Sequence, residues 1–233
     1  MNKLKPILTF RIFLILIIIT LSTIPSSFAW SWDTHSQIID TVYQGLPSDV
    51  QKNLNLELMK NASNDPDEKF KDFTYHSYPK SYEKAKIWLD NGKAAYDKGD
   101  YDEASTDYGI ASHYISDTFS APHCVSKEAS SDHSKYEKQG TKLKPTATNQ
   151  GGELKTLMQN GYTQGGTSWN QWLETKDTNI VQNNLNDAAS VSLSAISNSI
   201  NVNATTNSTT STSNDVLSSL YELIMSFIPE DNN

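Results

Sequence analysis

Apolar residues recur at helical spacing along most of the chain. Ile38, Ile39 and Val42 mark one face of a helix over 35–44, and Gly45-Leu46-Pro47 supplies its stop. Val50, Leu54 and Leu58 repeat every fourth position and predict a helix over 49–60. Residues 61–79 are polar and rich in turn formers, which predicts a loop crossing the site. Ala85, Trp88, Leu89, Ala95 and Tyr96 form the apolar stripe of a helix over 81–98, broken by Gly99-Asp100. Ala104, Tyr108, Ala111, Tyr114 and Ile115 do the same over 101–119, before Pro122. This pair has the look of a tetratricopeptide hairpin, but no second copy follows, which excludes a repeat array. Beyond it the pattern predicts a loop over 126–132, a helix over 133–140 and an irregular stretch over 141–152. Helices over 153–161 and 169–199 follow, the second with room for a break. No segment sustains strand alternation, so the expected fold is an all-α domain over residues 30–200.

The two ends read differently. Lys3, Lys5 and Arg11 precede a nearly unbroken apolar run from Ile12 to Leu21, and Ser27-Phe28-Ala29 offers small residues for cleavage. Residues 1–29 are therefore expected to be an export signal. The alternative is an uncleaved anchor, for which the run is short against the ~20 residues of a stable span. Cleavage after Ala29 makes Trp30 the N-terminus, and its α-amine, with an ordinary pKa near ~8, can then ligate a metal. Residues 201–214 are rich in Asn, Ser and Thr and read as a linker. Residues 215–233 hold a short apolar segment, expected to pack back on the domain or to attach to a surface.

Charge and cysteine content narrow the function. The chain carries 19 basic and 27 acidic residues, a formal net charge of −8. Loss of Lys3, Lys5 and Arg11 with the signal would take it to −11. So acidic a protein is not steered to nucleic acid by its overall field, although a local cationic centre would still attract phosphate. Cys124 is the only cysteine, so no disulfide forms within the chain. It adjoins His123 and is a possible ligand, but a buried thiol is the plainer reading.

The five histidines fall into one pattern of ligand spacing. His113 and Asp117 are four apart, as are His133 and Glu137, and i,i+4 residues project from one helix face. His123 lies between the two pairs, and His35 and His76 precede them. One histidine on a helix is usually a packed or surface residue. Two His-x-x-x-carboxylate pairs, an intervening histidine and a cleavage site close to His35 point instead to metal. Imidazole with carboxylate suits zinc.

The run Tyr108-Gly109-Ile110-Ala111-Ser112-His113-Tyr114-Ile115-Ser116-Asp117, then Pro122-His123, then His133-Ser134-Lys135-Tyr136-Glu137 resembles the bacterial zinc-dependent phospholipase C family. The single-strand-specific zinc nucleases share its fold. The resemblance covers Trp30 to about Gly140. It implies an all-helical domain holding three zinc ions. Trp30, His35 and a shared Asp117 would hold the first; His76, His113, Asp117 and a loop aspartate the second; His123, His133 and Glu137 the third. Asp67 fits the loop position best, with Asp65 and then Asp72 as alternatives. The sequence departs from the family at Ser116, where glycine is usual, at Ala121-Pro122 in place of Gln-Pro, and in a shorter interval from His123 to His133. No ligand is lost by these changes; the shape of the pocket is what they alter.

By implication, three Zn²⁺ against three carboxylates and a metal-activated hydroxide leave about two excess positive charges, matched to a phosphodiester and its transition state. Asp67 would orient or deprotonate the attacking water. The expected activity is an exported, monomeric phospholipase C acting on phospholipid at a membrane surface. A single-strand nuclease would need stacking aromatics, for which Tyr75, Tyr78, Trp169 and Trp172 are available. A zinc-binding surface protein without turnover is the non-enzymatic alternative.

Overall fold

The computed structural model describes residues 30–206. The predicted signal, residues 215–233 and most of the linker lie outside the described residues. Those described are predominantly helical, with no strand among them. Eight α-helices follow in order: α1 (Trp32–Gly45), α2 (Ser48–Asn53), α3 (Leu56–Ala62), α4 (Lys80–Asp97), α5 (Tyr101–Asp117), α6 (Ser130–Gly140), α7 (Leu154–Thr175) and α8 (Thr178–Thr206). A short π-helical turn (Pro66–Phe70) precedes α4, and a 3₁₀ turn (Ala121–Cys124) follows α5. Helix α8 runs to Thr206, into the segment read as linker. Among the described residues no helix is long and apolar enough to cross a membrane.

Helix α5 is the axis of the fold. Asp100 caps it, its side chain accepting from the backbone N–H of Glu103 at 3.3 Å. Every residue from Asp107 to Asp117 is buried. A helix buried on all sides belongs to the centre of a bundle, and α3, α4 and α8 pack around this one. Small residues permit the approach. A Cβ on Gly109 would stand 2.3 Å from the Met59 carbonyl oxygen of α3. Gly109→Ala is therefore expected to cost about 2–3 kcal/mol, because rigid backbone must yield, and a lowered urea midpoint at unchanged slope would register it.

Two predicted helices are divided differently in the molecule. The stretch over 49–60 is two helices, because the Asn55 side chain accepts from the N–H groups of Glu57 and Leu58 and starts a new one. Met59, not Leu58, then faces the core. Further on, residues 162–168 separate two predicted helices, yet α7 runs through them. Gly161 and Gly165 are not breakers there but contact points: a Cβ would meet the Phe119 ring at 2.2 Å and the Cys124 Sγ at 2.3 Å. The break comes instead at Lys176, which adopts a left-handed φ of 54°.

Asp107 is a buried carboxyl one turn after Glu103 on α5. Burial first, and the Glu103 charge second, push its pKa up to about 6. A carboxyl raised in the folded state favours folding below about pH 4, and that contribution is lost as pH rises through about 6. Asp107→Asn should raise stability by about 2 kcal/mol at pH 8 and change little at pH 4. Thermal melts at the two pH values check this.

Candidate metal centre

Six elements deliver the predicted ligands to one place. The first turn of α1 supplies His35, and the last turn of α5 supplies His113 and Asp117. The π-helical turn supplies Asp67. The segment before α4 supplies His76, and the 3₁₀ turn His123. Helix α6 carries His133 and Glu137 on one face. The π turn is the local device for the loop aspartate. Pro66 opens it, and Lys71, in a left-handed φ of 53°, ends it. Asp67 is thereby turned fully inward. The two alternatives are occupied elsewhere. Asp65 pairs with Lys69 at 3.0 Å, and Asp72 accepts from the Tyr114 hydroxyl at 2.9 Å and pairs with Lys84 at 3.0 Å.

The side chains form three contiguous groups, each with ligand atoms within 4.8 Å of one another: His35, His113 and Asp117; Asp67, His76 and His113; and His123, His133 and Glu137. Asp117 lies between the first two. Its Oδ1 is 3.3 Å from His35 Nε2, while its Oδ2 is 3.0 Å from both His113 Nε2 and His76 Nδ1. Asp67 Oδ1 is 3.4 Å from His76 Nε2. The His76 and His123 rings stand 5.9 Å apart, and the His123 and His133 rings 5.1 Å, which joins the third group to the others. In that third group His133 Nε2 is 2.8 Å from Glu137 Oε1.

These atoms are close without satisfying one another. His35 Nε2, His113 Nε2, both ring nitrogens of His76 and both carboxylate oxygens of Asp67 and Asp117 are buried with no hydrogen bond of acceptable geometry. So many unsatisfied polar atoms in one buried cluster are costly in a folded chain, and a divalent cation at their centre removes the cost. The donor set, imidazole and carboxylate, fits zinc.

Electrostatics at His35 and Asp117 agrees with that use. Burial, reinforced by nearby His113, holds the His35 pKa well below the usual imidazole value. For Asp117 burial works upward, but the charges of His113, His35 and His76 outweigh it and keep the carboxyl well below the usual range. An ionised Asp117 facing a neutral His35 is the protonation state a metal requires. Burial raises Asp67 and pushes Glu137 up to about 7. Burial lowers His133, but its bonds to Glu137 and Glu128 prevail and the net shift is upward.

Three outer contacts were invisible in the ligand spacing. The His113 Nδ1 is 2.7 Å from the Ser63 carbonyl, His133 Nδ1 is 3.2 Å from Glu128, and His35 Nδ1 is 3.1 Å from the Ser116 hydroxyl. Each occupies the ring nitrogen opposite the one that faces the cluster, the arrangement that orients metal-binding imidazoles. No sequence periodicity marks these partners. Cys124 is no ligand: its thiol bonds to the Thr118 carbonyl at 3.3 Å and burial pushes it up to about 12.

Trp30 is buried. Its indole N–H donates to the Ser116 carbonyl at 3.0 Å, and its ring packs 5.4 Å from that of Tyr136. The N-terminal segment is thus anchored one residue from Asp117. Beside the third group, a cavity of about 450 Å³ is lined by Ser31, Trp32, Asp33 and Glu137. Trp32 is 46% exposed there. Trp169 and Trp172 stack on each other in the core and are not available to a base, whereas Tyr75 and Tyr78 are only partly buried.

The family model for zinc dependent phospholipase C matches residues 34–203. No curated protein and no solved structure matches the chain significantly. The matched span contains every predicted site residue except Trp30, and both the helical fold and the clustered His and Asp side chains accord with it. The chain belongs to the zinc-dependent phospholipase C family.

Proposed function

We propose that the protein is an exported phospholipase C that hydrolyses glycerophospholipids to a diacylglycerol-type lipid and a phosphorylated headgroup, using up to three zinc ions per monomer. The observation that carries this reading is Asp117. Its two oxygens face different histidine groups from the buried centre of the bundle, which suits a carboxylate shared by two metals. The proposed ligands are those implied by the resemblance, with the Trp30 amine completing the first group once the signal is removed.

Bound zinc supplies Lewis-acid charge and brings water, with a pKa lowered toward ~7, within reach of deprotonation at neutral pH. The chain's own side chains do the rest. Asp117 fixes the spacing of the first two groups. Asp67 has one oxygen near His76 and a second, Oδ2, without a partner; that second oxygen is placed to accept a proton from the attacking water. His123, His133 and Glu137 form the group nearest the open cavity, where the leaving oxygen is most simply accommodated. The third group offers only three side-chain ligands, His123, His133 and Glu137, fewer than the four that close a structural zinc site.

The test is a side-by-side assay of the zinc-loaded chain beginning at Trp30 on mixed phospholipid vesicles and on single-stranded DNA. Release of a headgroup phosphate ester with intact DNA is the expected outcome. Cleaved DNA with intact lipid would assign the protein to the nuclease branch. Zinc binding with neither activity would make it a non-enzymatic surface protein.

A further inference from the structure

Ser116 sits between the two α5 ligands, fully buried, in the last turn of the helix. Its hydroxyl has two neighbours and one proton. The oxygen is 3.0 Å from the His113 carbonyl, one turn back, and 3.1 Å from His35 Nδ1. The hydroxyl donates to this carbonyl, which only accepts. What remains for His35 is a lone pair on Oγ, and that contact is a hydrogen bond only if Nδ1 carries the hydrogen. A neutral imidazole has one N–H. Its Nε2 is then left with a lone pair, and Nε2 is the atom that lies 3.3 Å from Asp117 Oδ1 in the first ligand group. The opposite tautomer would point an N–H at the site and block it.

The backbone of the same residue acts on the same segment. The Ser116 carbonyl accepts the Trp30 indole N–H at 3.0 Å. One residue of α5 therefore grips Trp30 through its carbonyl and His35 through its hydroxyl. The carbonyl contact survives any side-chain substitution, but the hydroxyl contact does not.

We infer that Ser116 is a positioning residue for the metal centre: its hydroxyl fixes His35 in the Nδ1–H tautomer, with Nε2 open toward the ligand group. The tautomer follows from the hydroxyl donating to the His113 carbonyl and not to Nδ1; its consequence for zinc rests on the metal reading above. Hydrogen-bond partners of this kind typically contribute ~10–100-fold to metal affinity.

The test uses Ser116→Ala, which keeps helix propensity and removes only the hydroxyl, with Ser116→Gly as the second variant should alanine disturb folding. In the metal-free protein at pH 8, long-range ¹H–¹⁵N correlations of the histidine rings should show His35 as Nδ1–H in the wild type. In the variants the Nε2–H form should appear. Zinc affinity, measured by competition with a chromophoric chelator, should fall ~10–100-fold, while far-UV circular dichroism is unchanged. Variants that retain the Nδ1–H tautomer and wild-type zinc affinity would overturn the inference. A wild-type protein that binds no zinc would sink the metal reading instead, and the tautomer comparison would still decide the role of Ser116.

Discussion

Phospholipid turnover by the Asp117→Asn variant is expected to fall at least ~1000-fold, since several kcal/mol of charge stabilisation are at stake and each decade corresponds to ~1.4 kcal/mol. The asparagine keeps the shape of the side chain but not its charge, and its nitrogen replaces one of two oxygens that face separate histidine groups. Zinc content should drop at both of those groups together while His123, His133 and Glu137 keep theirs. The loop aspartates give the matched comparison. Asp67→Asn should also be severely impaired. Asp65→Asn should retain near-wild-type rates, because Asp65 only pairs with an exposed Lys69, a contact contributing ~0–1 kcal/mol. Steady-state rates with metal analysis of each variant check both statements. Near-normal turnover in Asp117→Asn would contradict a shared ligand.

Removal of metal should produce the second large effect. The unsatisfied buried atoms of His35, Asp67, His76, His113 and Asp117 make the metal-free chain poorly stable. Each site saturated 1,000-fold above its dissociation constant adds ~4 kcal/mol. At roughly 2–4 °C per kcal/mol for a chain of this size, chelation should lower Tm by more than ~20 °C. The metal-free protein should also show a distinctive pH dependence. Glu137 is pushed up to about 7 from an ordinary 4.5 by burial, a cost that the His133 bond and charge only partly offset. A carboxyl raised in the folded state contributes stability below about pH 4.5 that is lost as pH climbs through about 7. Metal-free protein should therefore melt at lower temperature at pH 8 than at pH 5, with the raised Asp107, His113 and His133 adding to the trend and the lowered His35 opposing it. Zinc binding should move the other way, tightening as pH rises and protons leave the ligands. Calorimetry with and without chelator at the two pH values checks both signs.

Much of the fold was legible because the signals were local. The stripe from Ala85 to Tyr96 and the Gly99-Asp100 break define α4 and the start of α5 without reference to the rest of the chain. What was illegible depended on partners far away in sequence. The gap predicted over 162–168 closes into α7 because Gly161 and Gly165 let Phe119 and Cys124 pack against the helix. Leu58 continues the spacing of Val50 and Leu54, and that spacing does not reveal that Asn55 starts a new helix. The site divides in the same way. The i,i+4 pairs on α5 and α6 were plain from spacing. The resemblance favours Asp67 over Asp65 and Asp72; the π turn that faces it inward is encoded by no periodicity. Glu128, Ser63 and the hydroxyl of Ser116 act on imidazoles 5, 50 and 81 residues away, so only the folded chain brings them to view.

The central claim is an open, multinuclear zinc centre built on Asp117, and its most direct test is anomalous scattering at the zinc edge from crystals of the zinc-loaded chain beginning at Trp30. The expected result is three peaks, two flanking Asp117 and one among His123, His133 and Glu137, each with a coordination position left to solvent. A single peak closed by four protein ligands, or no peak at Asp117, would contradict it.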